Sequence, residues 1–86
     1  MVALGILDTI ANLHPIPVDR LTLIEPDYQS IESLPSGQVG TIVEVYEGTM
    51  PRYLVEFTDL QGREYAMAVL QTEEVIALHY ELSVMS

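Results

Sequence analysis

Residues 37–70, GQVGTIVEVYEGTMPRYLVEFTDLQGREYAMAVL, constrain the fold of this chain more than any other stretch. Apolar and polar side chains alternate through three successive runs, and turn residues separate them, which is the period of a strand and not of a helix. In the first run, 38–47, Val39, Thr41, Val43 and Val45 point one way, and Ile42, Glu44 and Tyr46 the other. EGTMP, 47–51, is a turn. The second run, 52–59, sets Tyr53, Val55 and Phe57 against Leu54, Glu56 and Thr58. DLQG, 59–62, makes a tight hairpin with Gly62 available for positive φ. In the third run, 63–70, Ala66, Ala68 and Leu70 alternate with Tyr65, Met67 and Val69.

Flanking segments extend the same pattern. DRLTLIEP, 19–26, reads as a first strand ended by Pro26, and 27–37 as a long polar surface loop anchored by Ile31 and Leu34. QTEE, 71–74, suits one helical turn capped by Thr72. VIALHYEL, 75–82, is the closing strand, and 83–86 a frayed tail. Upstream, Ala3, Ile6, Leu7, Ile10 and Leu13 are spaced for one face of a short helix that Pro15 and Pro17 stop; Gly5 weakens that helix and keeps an extended alternative open. The expected architecture is mainly β: a small five-stranded SH3-like barrel over 19–82, with residues 1–18 as a helical or extended N-terminal segment packed on it. Closure suits a chain of 86 residues, which has too little material to cover open edges. Val39, Val43, Val45, Tyr53, Val55, Phe57, Ala66, Ala68, Leu70 and Ile76 are expected to line its interior.

Charge excludes whole classes of function. Thirteen acids stand against three arginines and no lysine, a net charge of −10. Nucleic acid binding requires cations to displace the counterions of the phosphate backbone, and this surface repels DNA, RNA and anionic lipid alike. No apolar run approaches the roughly eighteen residues of a membrane span. The apolar start carries Asp8 and no basic leader, so it reads as part of the fold of a cytoplasmic protein. Without cysteine, disulfides, zinc–thiolate sites and thiol nucleophiles are excluded. The acids are scattered for solubility, or to steer a basic partner.

A search for catalytic chemistry returns nothing. His14 and His79 stand in no motif that would make either a general base or a metal ligand. Glu25, Asp27 and Glu32 lack the spacing of a calcium loop. Gly37 and Gly40 precede neither a lysine nor a helix, so they mark a barrel corner rather than a phosphate cradle. No catalytic residue, metal ligand or cofactor is expected, which leaves binding.

The candidate binding face is the outward side of the three central strands. Ile42, Leu54, Tyr65 and Met67 fall there in one continuous apolar patch, with Glu44 and Glu56 on neighbouring strands beside it. Such a patch has a cover. Either the N-terminal segment folds back, placing Ile6, Leu7 and Ile10 over it, or another chain binds there. The other chain is an unknown protein partner, basic by charge complementarity, or further copies in a structural homo-oligomer.

LPSGQVGTIVEVYE, YLVEFTDLQGREYAMAVL and EEVIALHYEL resemble the uncharacterised bacterial domain-of-unknown-function family 4926, its cyanobacterial members in particular, over about residues 6–82. Gly37, Val39, Gly40, Thr41, Glu44, Val55, Glu56, Phe57, Asp59 and Gly62 match its pattern G-x-V-G-T-V-x-E…Y-x-V-E-F-x-D-x-x-G. Shorter members run almost directly from an LLDTVALL-like start into G-x-V-G, whereas this chain inserts PVDRLTLIEPDYQSIES; either 7–13 or 19–25 is then the first barrel strand. The resemblance implies an SH3-like barrel with no assigned activity, cofactor or catalytic residue. It also implies an antitoxin or immunity role, because genes of this type are suspected of accompanying toxin-like partners.

Overall fold

The computed structural model describes residues 4–28 and 30–78. Eight strands form: β1 Thr9–Asn12, β2 Ile16–Pro17, β3 Leu21–Leu23, β4 Ser33–Leu34, β5 Val39–Tyr46, β6 Arg52–Thr58, β7 Glu64–Gln71 and β8 Val75–Ala77. Short 3-10 turns lie at Val18–Arg20, Pro26–Tyr28 and Thr72–Glu74. Six strands make one antiparallel sheet in the order β3-β7-β6-β5-β1-β8, and β2 and β4 pair separately. The meander β5-β6-β7 is the one that the alternating runs predict, with Gly62 at φ +79 in its second turn.

No helix forms at the N terminus among the described residues. Residues 9–12 are a strand between β5 and β8, with Ile10 opposite Gly40 and Ala77. Pairing on both sides satisfies the backbone of this short segment, which an isolated helix interrupted by Gly5 cannot match. Ile10 is therefore built into the sheet and its core rather than laid over the outer face, and Ile6 and Leu7 are exposed. Both candidates for the first strand are strands: β1 sits inside the sheet, and β3 is added at the edge beside β7.

The core contains Ile10, Ile16, Leu34, Ile42, Tyr53, Val55, Phe57, Tyr65, Ala66, Ala68, Leu70 and Val75. β6 and the second half of β7 follow the predicted phase, but β5 does not. Its register slips between Ile42, which faces Val55, and Glu44, which faces Leu54, so Val43 is the extra residue of a β-bulge. Before the bulge Gly40 and Ile42 face inward; after it Val45 does. Val39 is consequently 48% exposed and Val43 only half-buried, while Ile42 is fully enclosed. Gly40 sets this phase. A Cβ there would lie 2.6 Å from Val55 Cγ1 and 3.0 Å from Phe57 Cδ1, so at this position only glycine admits the Phe57 ring.

A second slip, between Phe57 opposite Ala66 and Thr58 opposite Glu64, makes Tyr65 the extra residue and turns it into the protein. In β8 the core position is Val75 and not Ile76, because Val75 and Ala77 pair with the inward-facing Asn12 and Ile10, while Ile76 pairs with Ala11 and stays exposed. The 3-10 turn before it is closed by Glu74, whose carboxylate accepts from Gln71 N at 2.9 Å, so Gln71 and not Thr72 is the capping residue. The outer part of the expected 75–82 strand, His79 and the tail 83–86 lie outside the described residues.

One buried polar residue organises the long segment between β1 and β5. The Asn12 amide donates to His14 O at 2.8 Å and Pro35 O at 2.9 Å, and its Oδ1 accepts from Gln38 N at 2.8 Å. Its backbone pairs with Gln38 O and Gly37 N. Both ends of the segment are thereby fastened to one side chain.

Candidate functional site

The outer side of β3-β7-β6-β5 carries the face that the alternation predicts, with altered membership. Leu54 and Met67 lie on it, both half-buried, together with exposed Glu44 and half-buried Glu56. Ile42 and Tyr65 are not on it; the two bulges place them in the core. Val69, opposite Leu54, and Thr22, opposite Met67, complete the face. A shallow groove of about 280 Å³ runs between Arg20, Thr22, Leu54, Met67, Ala68 and Val69.

Carboxylates stand beside this groove on the same face of the sheet. Glu44 stands across from Leu54, and Glu56 across from Met67 on one side and Thr41 on the other, so the two glutamates share the face without opposing each other. The closer neighbour of Glu56 is Glu64. Partial burial raises the Glu56 carboxyl above the ordinary carboxylate range, and the charge and hydrogen bonding of Glu64 raise it further. Two arginines share this face: Arg20 lines the groove, and Arg52 stands two residues before Leu54 on β6. Arg20 forms a two-pronged pair with Glu74 at 2.8 and 3.1 Å, and its hydrogen bonds hold the Glu74 carboxyl below its usual value. Arg63 Nε donates to Asp59 at 3.0 Å. Arg52 sits over the Tyr46 ring, 5.9 Å from its centroid.

A second concavity, of about 390 Å³, opens between the 28–39 segment and the β6–β7 hairpin. Its floor is the Tyr28–Tyr65 pair, stacked with centroids 4.5 Å apart and planes 25° from parallel. Tyr28 donates its hydroxyl to Asp59 Oδ2 at 3.2 Å. The same carboxylate accepts from Gln61 N, Arg63 N and Arg63 Nε, and the hydrogen bonds from Arg63 and Gln61 hold its pKa below the ordinary value. Burial raises the hydroxyl pKa of both tyrosines. Pro35, Val39 and Ile31 form one wall, and Leu60, fully exposed at the hairpin tip, the other. The sequence gives little sign of this cleft, because Tyr28 and Tyr65 are far apart along the chain and meet only through the second bulge.

Among the described residues, no group of three or more His, Cys, Asp or Glu side chains is placed to hold a metal ion. His14 is exposed at the end of β1. Among the described residues no helix is long and apolar enough to cross a membrane. Both concavities offer apolar surface, and Glu44 and Glu56 stand beside the first.

Searches of the curated proteins and of the solved structures return no match. Residues 6–77 match the family described as domain of unknown function DUF4926, a span that runs from the segment before β1 to the end of β8 and takes in both concavities. The chain belongs to that domain-of-unknown-function family.

Proposed function

We propose that this protein is a small acidic protein–protein interaction module of the bacterial cytoplasm, with no catalytic activity of its own, which docks a basic partner on the outer face of β3-β7-β6-β5. The role is that of an antitoxin- or immunity-type protein or of an accessory subunit. The observation that carries this reading is the pairing of an apolar centre, Leu54, Met67 and Val69, with the carboxylates of Glu44, Glu56 and Glu64 on the same face; Arg20 in the groove wall is paired with Glu74, Arg63 with Asp59, and Arg52 at the start of β6 lies over the Tyr46 ring. A lysine or arginine brought to the Glu56–Glu64 pair would relieve the repulsion between the two, and apolar residues beside it would cover the groove. Net charge of −10 steers such a partner from a distance.

We read the frame as a small SH3-like barrel. In support, β5 pairs with β6 along its length and with β1 at its start, a long segment joins β1 to β5, and a 3-10 turn precedes β8. Affinity capture from the native host, comparing the unmodified chain with Glu56→Lys and Leu54→Asp, tests the function. The expected result is a basic protein retained at low salt by the unmodified chain and lost with both variants. Retention of the same proteins by all three chains would show that this face is not the docking surface.

A further inference from the structure

We propose that Glu56 and Glu64 form a proton-sharing pair that makes docking on the outer face depend on pH, a basic partner being held while both are charged and released as the pair takes up a proton. The pair is a product of the second β-bulge. In an unbroken strand Glu64 and Ala66 would lie on one side of β7, and Tyr65 and Met67 on the other. The extra residue turns Tyr65 and Ala66 both inward, at 5% and 0% exposure, so Glu64 becomes the residue that precedes Met67 on the outer side. Met67 faces Glu56, and Glu64 faces Thr58, the next outward residue of β6 after Glu56. Diagonal neighbours on adjacent strands lie within reach of long side chains. Glu56 is half-buried between Met67 and Thr41, and both the charge and the hydrogen bonding of Glu64 act on it.

Two carboxylates in contact repel when both are charged, and one proton held between them replaces the repulsion with a hydrogen bond. The surroundings favour that proton. From β5, Thr41 faces Glu56, and Glu44, across from Leu54, adds a third negative charge to the face. From β7 come Met67 and Glu64; Arg63, next to Glu64 in the chain, donates to Asp59. On β6 itself Arg52 stands at the far end, over the Tyr46 ring. On β3 Thr22 is opposite Met67, and Arg20 beyond it pairs with Glu74. Burial and then Glu64 raise the Glu56 carboxyl above the ordinary carboxylate range. An ammonium or guanidinium seated on the pair favours both carboxylates charged, and the proton leaves to solvent. Proton and partner therefore compete: affinity is full above the upper titration step of the pair and falls as pH drops through it. This regulation rests on the outer-face reading, whereas the proton sharing belongs to the chain alone.

The test is an NMR titration of the side-chain carboxyl carbons of Glu56 and Glu64 in the full chain, with and without trilysine at matched ionic strength, for the wild type, Glu64→Gln and Glu44→Gln. The expected result is that both resonances of the wild type move through the same two steps. Glu64→Gln leaves Glu56 a single step at a lower midpoint, whereas Glu44→Gln, which removes one charge from the same face and leaves the pair, lowers the midpoint less. Trilysine lowers the Glu56 midpoint of the wild type. A single-step Glu56 curve in the wild type, or a midpoint that Glu64→Gln moves no further than Glu44→Gln does, overturns the pair, and a midpoint that trilysine leaves in place overturns its link to docking. The titration without trilysine holds or fails whatever docks on this face; failure of the outer-face reading shows separately, in retention of the same proteins by the wild type, Glu56→Lys and Leu54→Asp.

Discussion

Replacing Asn12 tests whether one side chain holds the long 13–38 segment against the sheet. Asn12 is 2% exposed and makes three side-chain hydrogen bonds, two as donor to the carbonyls of His14 and Pro35 and one as acceptor from Gln38 N. At about 1 kcal/mol net for each bond, Asn12→Ala should cost about 3 kcal/mol, a fall in Tm of roughly 12–24 °C for a domain of this size. Asn12→Asp separates hydrogen bonding from packing, because the shape is kept while the two donor positions are lost. At neutral pH a carboxylate would face two carbonyl oxygens in a buried site, so Asn12→Asp should be less stable than Asn12→Ala. The same surroundings favour the protonated acid, so the folded-state pKa of Asp at this position is raised above its unfolded value. A group so shifted contributes most stability below the unfolded pKa, about 4, and loses it as pH rises through the folded value. Asn12→Asp should therefore recover stability on acidification, relative to the wild type. Urea denaturation of the three chains at pH 7 and near pH 4 gives the comparison. An aspartate variant at least as stable as the alanine variant at pH 7, with no relative gain in acid, would refute the assignment of Asn12 as the fastening residue.

Gly40→Ala should destabilise by about 2 kcal/mol or more, since the added methyl meets Val55 Cγ1 at 2.6 Å and the Glu56 carbonyl oxygen at 2.9 Å. An unchanged denaturation midpoint would mean that Gly40 does not face Phe57. Glu56→Gln should raise the midpoint at pH 7 and lose that advantage in acid. The Glu56 pKa is raised by burial and by Glu64, so its charged form opposes folding above the folded pKa and the penalty vanishes once it is protonated. A gain that instead grows as pH falls would contradict the shift.

Alternation between apolar and polar residues was enough to locate the β5-β6-β7 meander, the turn at Gly62 and the inward set Tyr53, Val55, Phe57, Ala66, Ala68 and Leu70, because the period of a strand is a local property of the chain. The acidic balance, thirteen acids against three arginines, was equally legible. Four of the six residues of the predicted face followed: Leu54, Met67, Glu44 and Glu56 lie where the alternation placed them. Ile42 and Tyr65 do not, since one extra residue in a strand reverses every side chain beyond it and nothing in a pattern of apolar residues records a slip. Gly40 was the available sign, a glycine inside a strand marking close approach of another group, but the ring it admits is Phe57 on the neighbouring strand. Whether residues 9–12 are helix or strand was likewise undecided locally. Their spacing fits either, and the choice follows from two partners, β5 and β8, that are distant in sequence. The stacked tyrosines and the Asn12 network also join residues separated by long stretches of chain, so tertiary structure alone decided the cleft, because such contacts follow from strand register and not from any local pattern.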